Sequence, residues 1–334
     1  MKYVSCELLE HGLCFMNKYI FTCCYSPADR RNKIEEEILL HEIGDDDKID
    51  VEKLILQTKK LRENAKKGIL PHSCNNCYQL KEKEWEDKDY YSNIYVTHFE
   101  KCNADCIYCT SYGGIHTNTD KEPYKVMPVL RELDKRGLLK DEIEIHIGGG
   151  EPTLYDELDD IVKEYCLTGR AKMFAVPTSG IKYSEMLAEG MKLDFHTSFV
   201  LLIISIDSGS PEVYKKIKKV DEFYTVVENI RKYAQICDYK MQVKYIVIPH
   251  FNDTIEEFTR FLDMCQSIGV TKLGLDIDAN YARKFDFKVD VKLINLINDM
   301  VVMAKDRGFD TELFMFFRHV LSYYNKDKEI EVNQ

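Results

Sequence analysis

The fold is decided by the stretch Phe99-Glu100-Lys101-Cys102-Asn103-Ala104-Asp105-Cys106-Ile107-Tyr108-Cys109. Its cysteines follow a C-x3-C-x2-C pattern on one short loop, and they are Cys102, Cys106 and Cys109. Three thiolates spaced in this way can converge on one iron-sulfur cluster, and they leave the fourth iron without a protein ligand. An open iron can bind a substrate or a cofactor. The alternative is a structural zinc site, which would need a fourth ligand such as His98 or His116.

The composition limits the class of protein. A chain of 334 residues with 45% hydrophobic residues can bury the core of one large α/β barrel or of two modest domains. The net charge of −11 gives no overall attraction to nucleic acid. The apolar run from Phe199 to Ile204 is far shorter than the roughly 20 residues of a membrane span, and the N-terminus lacks the apolar segment of a signal peptide. We therefore expect a cytoplasmic protein that makes no contact with a membrane.

The first 91 residues are rich in cysteine. A chain with twelve cysteines in a reducing compartment is expected to use them for metal or cluster ligation, since disulfides are rare there. Cys74 and Cys77 form a C-x2-C knuckle, and two distant cysteines would complete a four-cysteine metal site. A zinc knuckle is the alternative, because zinc and iron-sulfur sites share four-thiolate geometry.

From residue 92 onward, short apolar runs alternate with helical patterns, which predicts βα units and a parallel sheet. The first of six strands delivers the chain into the cysteine loop, and residues 143–147 form a second strand. That strand runs into Gly148-Gly149-Gly150-Glu151-Pro152-Thr153. Glycines at a strand end let a ligand approach the backbone, and the carboxylate of Glu151 could accept hydrogen bonds from an ammonium group. Residues 289–334 are predicted to form a pair of terminal helices.

The cysteine loop, with Tyr108 before its last cysteine, and the G-G-E-P segment one βα unit later together resemble the radical S-adenosylmethionine (SAM) superfamily. The resemblance implies an α/β fold, a partial (β/α)6 barrel with parallel strands over residues 92–334. It also implies that the three loop cysteines hold a 4Fe-4S cluster. In that family the open iron chelates SAM, and an electron from the cluster cleaves SAM to methionine and a 5′-deoxyadenosyl radical.

The resemblance further assigns residues to SAM. They are Tyr108, Gly149, Gly150, Glu151, Pro152, Ser179, Ser205, Asp207, Ile248 and Asn252. The G-G-E-P backbone would bind the amino group of SAM, Ser205 and Asp207 would reach its ribose, and Ser179 would contact its carboxylate or cap a helix instead. Ile248 and Asn252 lie where family members touch the adenine.

After the sixth strand, Asp276 and Asp278 stand two residues apart, so they share one side of an extended chain. They are candidates for binding or deprotonating the substrate. A solvated, polar strand end is an equally good interpretation.

The region of residues 1–91 resembles the SPASM or twitch modules that bind an auxiliary cluster in many radical SAM enzymes. By that resemblance, a second 4Fe-4S cluster would be held by Cys6, Cys23, Cys74 and Cys77, with Cys14 and Cys24 as alternative ligands. The chain departs from the pattern of these modules at Lys18, where a glycine is usual. The modules also usually follow the barrel, whereas this region precedes it.

The implied function is that of a radical SAM enzyme, an oxidoreductase, epimerase or similar modifying enzyme, that abstracts hydrogen from a peptide or carbohydrate. It would need an electron donor such as flavodoxin or ferredoxin, and it would be sensitive to oxygen. One alternative is a non-catalytic metal-binding or electron-transfer protein on the same barrel. Another is an RNA-modifying enzyme, against which the acidic charge balance weighs, so no nucleic-acid partner is expected.

Overall fold

The polypeptide folds as two units, each built from strands and helices. The computed structural model describes residues 2–23, 36–44, 48–75, 77, 79–86, 88–109, 124–194, 196–279, 281, 291–314 and 318. The first unit comprises Met1–Lys101, His116–Val176 and Leu193–Val200. The second unit comprises Cys102–Ile115, Pro177–Lys192 and Leu201–Gln334.

The first unit contains most of the strands. They are β1 (Lys2–Ser5), β2 (Gly12–Met16), β3 (Tyr19–Phe21), β4 (Leu39–Glu42), β5 (Lys81–Glu84), β6 (Tyr91–Val96), β7 (Leu139–Ile147) and β8 (Ala171–Thr178), whose last two residues belong to the second unit. Its α-helices are α1 (Glu7–His11), α2 (Val51–Lys66), α3 (Met127–Lys135) and α4 (Leu158–Ile161). Short 3-10 turns lie at Glu36–Ile38, His72–Cys74 and Pro152–Leu154, and a π turn lies at Val162–Cys166.

The strand order in the first unit is β8-β7-β6-β2-β3-β4, and β1 pairs separately with β5. Pairing is parallel from β8 to β2 and antiparallel from β2 to β4. On β7, Ile143, Ile145 and Ile147 alternate with more exposed residues, and all three are fully buried. The apolar face of α3, with Leu130 and Leu133 at its centre, is buried too. The buried residues recur every second position on the strand and every three to four positions on the helix, and they form part of the core of the first unit.

The second unit repeats the strand-helix alternation. Its strands are β9 (Phe199–Ser205, in this unit from Leu201), β10 (Met241–Val247), β11 (Lys272–Ile277) and β12 (Asp310–Leu313), and its helices are α5 (Glu185–Lys192), α6 (Pro211–Lys218), α7 (Phe223–Cys237), α8 (Ile255–Ser267) and α9 (Val291–Asp306). The four strands run parallel in the order β9-β10-β11-β12. Helices α7 and α8 bury residues at helical spacing, such as Val226, Ile230 and Tyr233 on α7. Cys265 lies on the buried face of α8 and belongs to the core.

The α/β fold predicted from the sequence is confirmed. The six predicted parallel strands are β6, β7 and β8 in the first unit and β9, β10 and β11 in the second. Of the two predicted terminal helices, the described residues contain one, α9, and residues 310–313 form β12 beside β11. Most of the chain after β12 lies outside the described residues, so the second terminal helix stays a prediction. A four-residue strand such as Asp-Thr-Glu-Leu carries too short a pattern to be recognised in the sequence.

The predicted boundary at residue 91 stays a prediction. Strand β2, which lies before it, pairs in parallel with β6 and so extends the sheet of the first unit. Among the described helices, none combines the length and the apolar character that a membrane span requires.

One buried carboxylate supports the helix that follows the undescribed segment 110–123. Glu157 is 7% exposed and accepts hydrogen bonds from the backbone N–H groups of Val126 (2.7 Å) and Met127 (3.2 Å) and from the Tyr155 hydroxyl (2.5 Å). We expect Glu157→Ala to lower the free energy of unfolding by about 3 kcal/mol, because buried N–H groups at the start of α3 lose their acceptor. Urea unfolding of the full chain measures the change.

The neighbouring residue provides a matched control. Asp156 is largely exposed, and its carboxylate lies 3.5 Å from the Lys125 ammonium. Because exposed ion pairs contribute little, Asp156→Ala should cost less than about 1 kcal/mol. Equal losses in the two variants would contradict the role assigned to Glu157.

Candidate functional site

The cysteine loop lies in the second unit, and Cys102, Cys106 and Cys109 are partly buried there. The loop is held by the last turn of α6. The backbone N–H of Asp105 donates to the Lys218 carbonyl (3.0 Å), and that of Ile107 donates to the Ile217 carbonyl (3.0 Å). The final carbonyls of a helix have no partner within the helix, so this helix end is a natural acceptor for loop amides.

A buried polar network lies beside the loop. The Lys218 ammonium is 1% exposed at the side chain and donates to the Tyr108 hydroxyl (2.6 Å) and to the Asp207 carboxylate (2.5 Å). The Tyr108 hydroxyl donates to the same carboxylate oxygen (2.5 Å). Burial raises the pKa of the Cys106 thiol, and the Lys218 ammonium acts in the opposite direction, towards the thiolate. Sequence reasoning missed Lys218.

Asp207 occupies an unusual backbone position. Its φ of 57° lies in the left-handed region, where residues other than glycine are uncommon. The second oxygen of its carboxylate accepts the N–H of Ile246 (2.8 Å), and the Asn252 amide donates to its backbone carbonyl (2.8 Å). Both carboxylate oxygens are thus engaged with the protein. The predicted contact of Asp207 with the ribose of SAM stays a prediction.

Asn252 is fully buried, and its side chain bonds only to backbone groups in the hydrogen bonds described for it. Its amide oxygen accepts the N–H of Ile248 (2.6 Å), and its amide N–H donates to the carbonyls of Ile246 and Asp207 (2.8 Å each). This side chain therefore fixes the turn that follows β10. Ile248 packs with Ile246 and with the loop residue Tyr108 in one apolar cluster.

The serines predicted to contact SAM lie on or near strand ends in the second unit. The Ser179 hydroxyl donates to the amide oxygen of Asn103 in the cysteine loop (2.9 Å) and accepts the N–H of Ile181 (3.3 Å). Ser205 is the last residue of β9 and stands beside Lys244 of β10. The structure therefore brings the Ser179 side chain into contact with the cysteine loop. The predicted contacts of Ser179 and Ser205 with SAM stay predictions.

The two acids at the end of the sixth strand, Asp276 and Asp278, have different surroundings. Asp276 lies within β11 with its side chain 4% exposed, and its carboxylate accepts a hydrogen bond from the Lys244 ammonium at 3.1 Å. Asp278 follows the strand, and its backbone N–H donates to the Val247 carbonyl. Asp276 is therefore part of a nearly buried ion pair.

The G-G-E-P segment lies in the first unit, against the residues that lead into the cysteine loop. The N–H of Gly150 donates to the Phe99 carbonyl (2.8 Å), and that of Glu151 donates to the Lys101 carbonyl (2.7 Å). A Cβ atom on Gly150 would lie 2.3 Å from the Lys101 carbonyl oxygen. Gly149 has a φ of 102°, and its Cβ would lie 2.8 Å from the Phe99 oxygen. The glycines thus permit close approach of the chain that precedes the cysteines.

Glu151 is 2% exposed and caps the 3-10 turn that begins at Pro152. One of its carboxylate oxygens accepts the N–H (3.1 Å) and the hydroxyl (2.7 Å) of Thr153. This orients the segment at the end of β7. The predicted role of the segment in binding the amino group of SAM stays a prediction.

A second group of cysteines meets at one cavity within the first unit. The cavity is lined by Cys6, Cys23, Cys74 and Cys77, together with Leu8, Leu9, Ile38, Ser73, Gln79 and Leu80. The Cys6 sulfur accepts the N–H of Leu9 (3.4 Å), and burial raises the pKa of the Cys6 thiol. Cys14 is buried in β2 and is not among the lining residues, and Cys24 lies outside the described residues.

The described residues do not form a preassembled site for a single metal ion, since no three His, Cys, Asp or Glu side chains among them are arranged to hold one. Thiolates on a 4Fe-4S cluster bind different irons and stand farther apart than thiolates on one zinc ion. Four cysteines around one cavity supply the thiolates that either a 4Fe-4S cluster or a structural zinc ion requires.

The close approach at Gly150 can be tested. We expect Gly150→Ala to lower the free energy of unfolding by about 3 kcal/mol and to lower the iron bound per chain, because the new methyl group displaces Lys101 and the chain entering the cysteine loop. The matched control is Gly137→Ala. Gly137 has a φ of 68° with no atom near its Cβ position, so only backbone strain of about 1–2 kcal/mol is added. Iron analysis and urea unfolding measure both effects, and normal iron binding in Gly150→Ala would contradict this interpretation.

Comparison with known proteins places this geometry in a family. A family model described as the radical SAM superfamily matches residues 96–265. The probable GTP 3′,8-cyclase of Methanocaldococcus jannaschii is 29% identical over 171 residues, which are 51% of this chain and 53% of that protein. The GTP 3′,8-cyclase of Haemophilus influenzae is 24% identical over 173 residues, covering 52% and 49%. The chain thus spans about half the length of the curated relatives it matches.

Solved structures show the same fold. Streptococcus suis SuiB bound to the precursor peptide SuiA has a TM-score of 0.53 at 11% identity, covering 98% of this chain and 75% of that one. SuiB bound to S-adenosylmethionine has a TM-score of 0.51 at 12% identity, covering 80% and 56%. Radical SAM enzymes use a 4Fe-4S cluster and SAM, and they need an electron donor. With half of its length matched by the family model, including the C-x3-C-x2-C loop and the G-G-E-P segment, the chain belongs to the radical SAM superfamily.

Proposed function

We propose that the chain uses two 4Fe-4S clusters to abstract a hydrogen atom from a peptide or carbohydrate substrate. The SAM-cleaving cluster is assigned to Cys102, Cys106 and Cys109, and a second cluster is assigned to the four cysteines at the cavity of the first unit. The observation that carries the second assignment is that Cys6, Cys23, Cys74 and Cys77, which come from three separate segments of the sequence, line one cavity. Residues 1–91 are accordingly assigned as a SPASM or twitch-like region, and residues 92–334 as the barrel.

The residues of the cysteine loop suit the first cluster. When bound there, the cluster supplies an open iron for SAM and the electron that cleaves SAM to a 5′-deoxyadenosyl radical. The chain contributes by holding the loop. The backbone N–H groups of Asp105 and Ile107 donate to carbonyls at the end of α6, so the loop is fixed independently of its sulfur atoms.

The residues of the cavity suit the second cluster. Leu8, Leu9 and Leu80 give it an apolar wall, which limits contact with water. The Cys6 sulfur accepts a backbone N–H, and the buried Ser73 hydroxyl has no hydrogen-bond partner among the described residues. Hydrogen bonds to cluster sulfurs raise the reduction potential of a cluster. The Ser73 hydroxyl is placed to donate one.

Four cysteines would saturate the second cluster. With one thiolate on each iron, no iron is left to bind a substrate. We therefore assign this cluster to electron transfer rather than to substrate anchoring. An external donor of the flavodoxin or ferredoxin type would supply the electron for SAM cleavage.

The charges of the second unit favour a substrate without a triphosphate. Recognition of several phosphates needs cations that are available to the ligand. Two inward-pointing lysines among the described residues are paired with carboxylates, Lys218 at the end of α6 with Asp207 and Lys244 on β10 with Asp276. A peptide or carbohydrate places no such demand on the site. Asp276 and Asp278 remain our candidates for contacting that substrate.

GTP cyclisation is the second candidate function. It is favoured by the relatives, which are named GTP 3′,8-cyclases. The matches cover about half of each of those proteins, so they do not show that this chain has the residues that bind GTP there.

Iron content tests the two cluster assignments. We expect about eight iron atoms per anaerobically reconstituted chain, about four in Cys74→Ser/Cys77→Ser, and about four in Cys102→Ala, because each change removes one cluster. With dithionite and SAM, the wild type should form 5′-deoxyadenosine, and Cys102→Ala should form none. The control is Cys237→Ser, a half-buried cysteine outside both groups. Zinc in place of iron, or 5′-deoxyadenosine formed by Cys102→Ala, would contradict the proposal.

A substrate assay separates the two candidate functions. We expect the reconstituted chain, supplied with SAM, dithionite and GTP, to leave the GTP unchanged while forming 5′-deoxyadenosine slowly. Chromatography of the nucleotides measures GTP loss directly. Consumption of GTP in step with formation of 5′-deoxyadenosine would overturn the assignment to a peptide or carbohydrate and establish the cyclase.

A further inference from the structure

We propose that Lys218 is a positioning residue that holds the cysteine loop and makes its cluster easier to reduce. It acts through a three-residue group that we name the loop clamp, which consists of Tyr108, Asp207 and Lys218. The inference rests on the proposed function in one respect, namely that Cys102, Cys106 and Cys109 bind the SAM-cleaving cluster.

The loop clamp is a closed set of hydrogen bonds within the second unit. The Lys218 ammonium contacts the Tyr108 hydroxyl at 2.6 Å and the Asp207 carboxylate at 2.5 Å, and Tyr108 and Asp207 contact each other at 2.5 Å. The side chains of Lys218 and Asp207 are 1% and 0% exposed. Burying such a pair costs several kcal/mol of hydration, so apolar residues of similar size would stabilise the fold as well or better. This argues that the charges serve something other than stability.

The loop clamp contacts the cysteine loop between two of its three cysteines. Tyr108 stands between Cys106 and Cys109 in the sequence, and its ring centroid lies 5.0 Å from the Lys218 ammonium. The backbone of the same lysine accepts the N–H of Asp105 (3.0 Å). One residue at the end of α6 thus holds the loop through its side chain and through its carbonyl.

The loop clamp is itself anchored to the sheet. The second oxygen of the Asp207 carboxylate accepts the N–H of Ile246 on β10, and Asn252 donates to the Asp207 carbonyl. A shift of Asp207 would therefore break its hydrogen bond to β10 as well as its hydrogen bonds to Lys218 and Tyr108. The loop is held against movement before any cluster binds.

The charges give the loop clamp an electrostatic effect. A 4Fe-4S cluster gains negative charge on reduction, and a cation held nearby in a medium of low dielectric constant favours the reduced form. Removing Lys218 alone leaves the Asp207 anion uncompensated, which disfavours reduction. Removing the charge of Asp207 leaves the cation uncompensated, which favours it. If the two substitutions only loosened the loop, there would be no reason for them to shift the reduction potential of the cluster in opposite directions.

The experiment compares full-length variants by two readouts that do not depend on turnover. Amide hydrogen exchange, measured by mass spectrometry on the cluster-free and reconstituted chains, follows residues 105–108. Redox titration followed by electron paramagnetic resonance, without SAM, follows the reduction of the loop cluster. The matched control is Lys215→Met, because Lys215 lies on the same helix, is exposed and pairs with Asp221 at 2.7 Å.

We expect Lys218→Met to speed exchange in residues 105–108 at least tenfold. At a fixed ambient potential, its ratio of reduced to oxidised cluster should fall about tenfold, a shift of about 59 mV for one electron. Asp207→Asn should raise that ratio, whereas Lys215→Met should match the wild type in both readouts. Tyr108→Phe keeps both charges, so it should speed exchange and leave the ratio within threefold of the wild type.

The proposal is overturned if Lys218→Met behaves like Lys215→Met, or if Lys218→Met and Asp207→Asn shift the potential in the same direction. Should Lys218→Met fail to fold, Asp207→Asn and Tyr108→Phe decide the matter by the sign of the potential shift and by loop exchange. A wild-type chain that binds no iron at the loop would instead overturn the proposed function. Exchange in the cluster-free chain would still show whether the loop clamp holds residues 105–108.

Discussion

The backbone amides of the cysteine loop need acceptors, and much of the local structure depends on how that need is met. The loop packs Ile107 and Tyr108 against Ile246 and Ile248, but its backbone amides still need acceptors. It uses the free carbonyls at the end of α6, where Ile217 and Lys218 accept the N–H groups of Ile107 and Asp105. The fixed position of α6 is therefore what gives the loop a defined shape, and the packing of Tyr214 and Ile217 in the core fixes α6.

The two groups of cysteines are built by different means, and this agrees with the different roles that we propose for them. The loop cysteines are close in the sequence and are positioned by hydrogen bonds of their own backbone. The cavity cysteines come from three separate segments, and they meet because α1 and the turn at Cys74 pack around one apolar space. A local motif leaves one iron open, whereas an assembled set of four closes the coordination. In the proposed function, the number of thiolates thus separates the cluster that generates the radical from the cluster that transfers electrons.

The sequence predicts those parts of the site whose chemistry is local. The C-x3-C-x2-C spacing and the G-G-E-P segment are visible as patterns, and so are the six parallel strands with their alternating burial. Lys218 was not visible, because it sits in the run Lys215-Lys216-Ile217-Lys218-Lys219, which is typical of a solvated helix end. Only the three-dimensional packing turns that one lysine inward. Similarly, the sequence predicts that Gly150 admits a ligand, whereas the structure shows the carbonyl of Lys101 in that space.

Several residues expected to contact SAM use their polar atoms in hydrogen bonds within the protein. The Tyr108 hydroxyl is bonded to Lys218 and Asp207, and the Asn252 amide is bonded to the backbone. Buried polar groups that are already paired gain little from a new partner, because an existing hydrogen bond must first be broken. What Tyr108 and Ile248 can offer a cofactor is therefore the surface of a ring and of an aliphatic chain. In the proposed SAM site, these two side chains would therefore contact the ligand by shape and apolar surface, and hydrogen bonding would be left to the backbone at the strand ends.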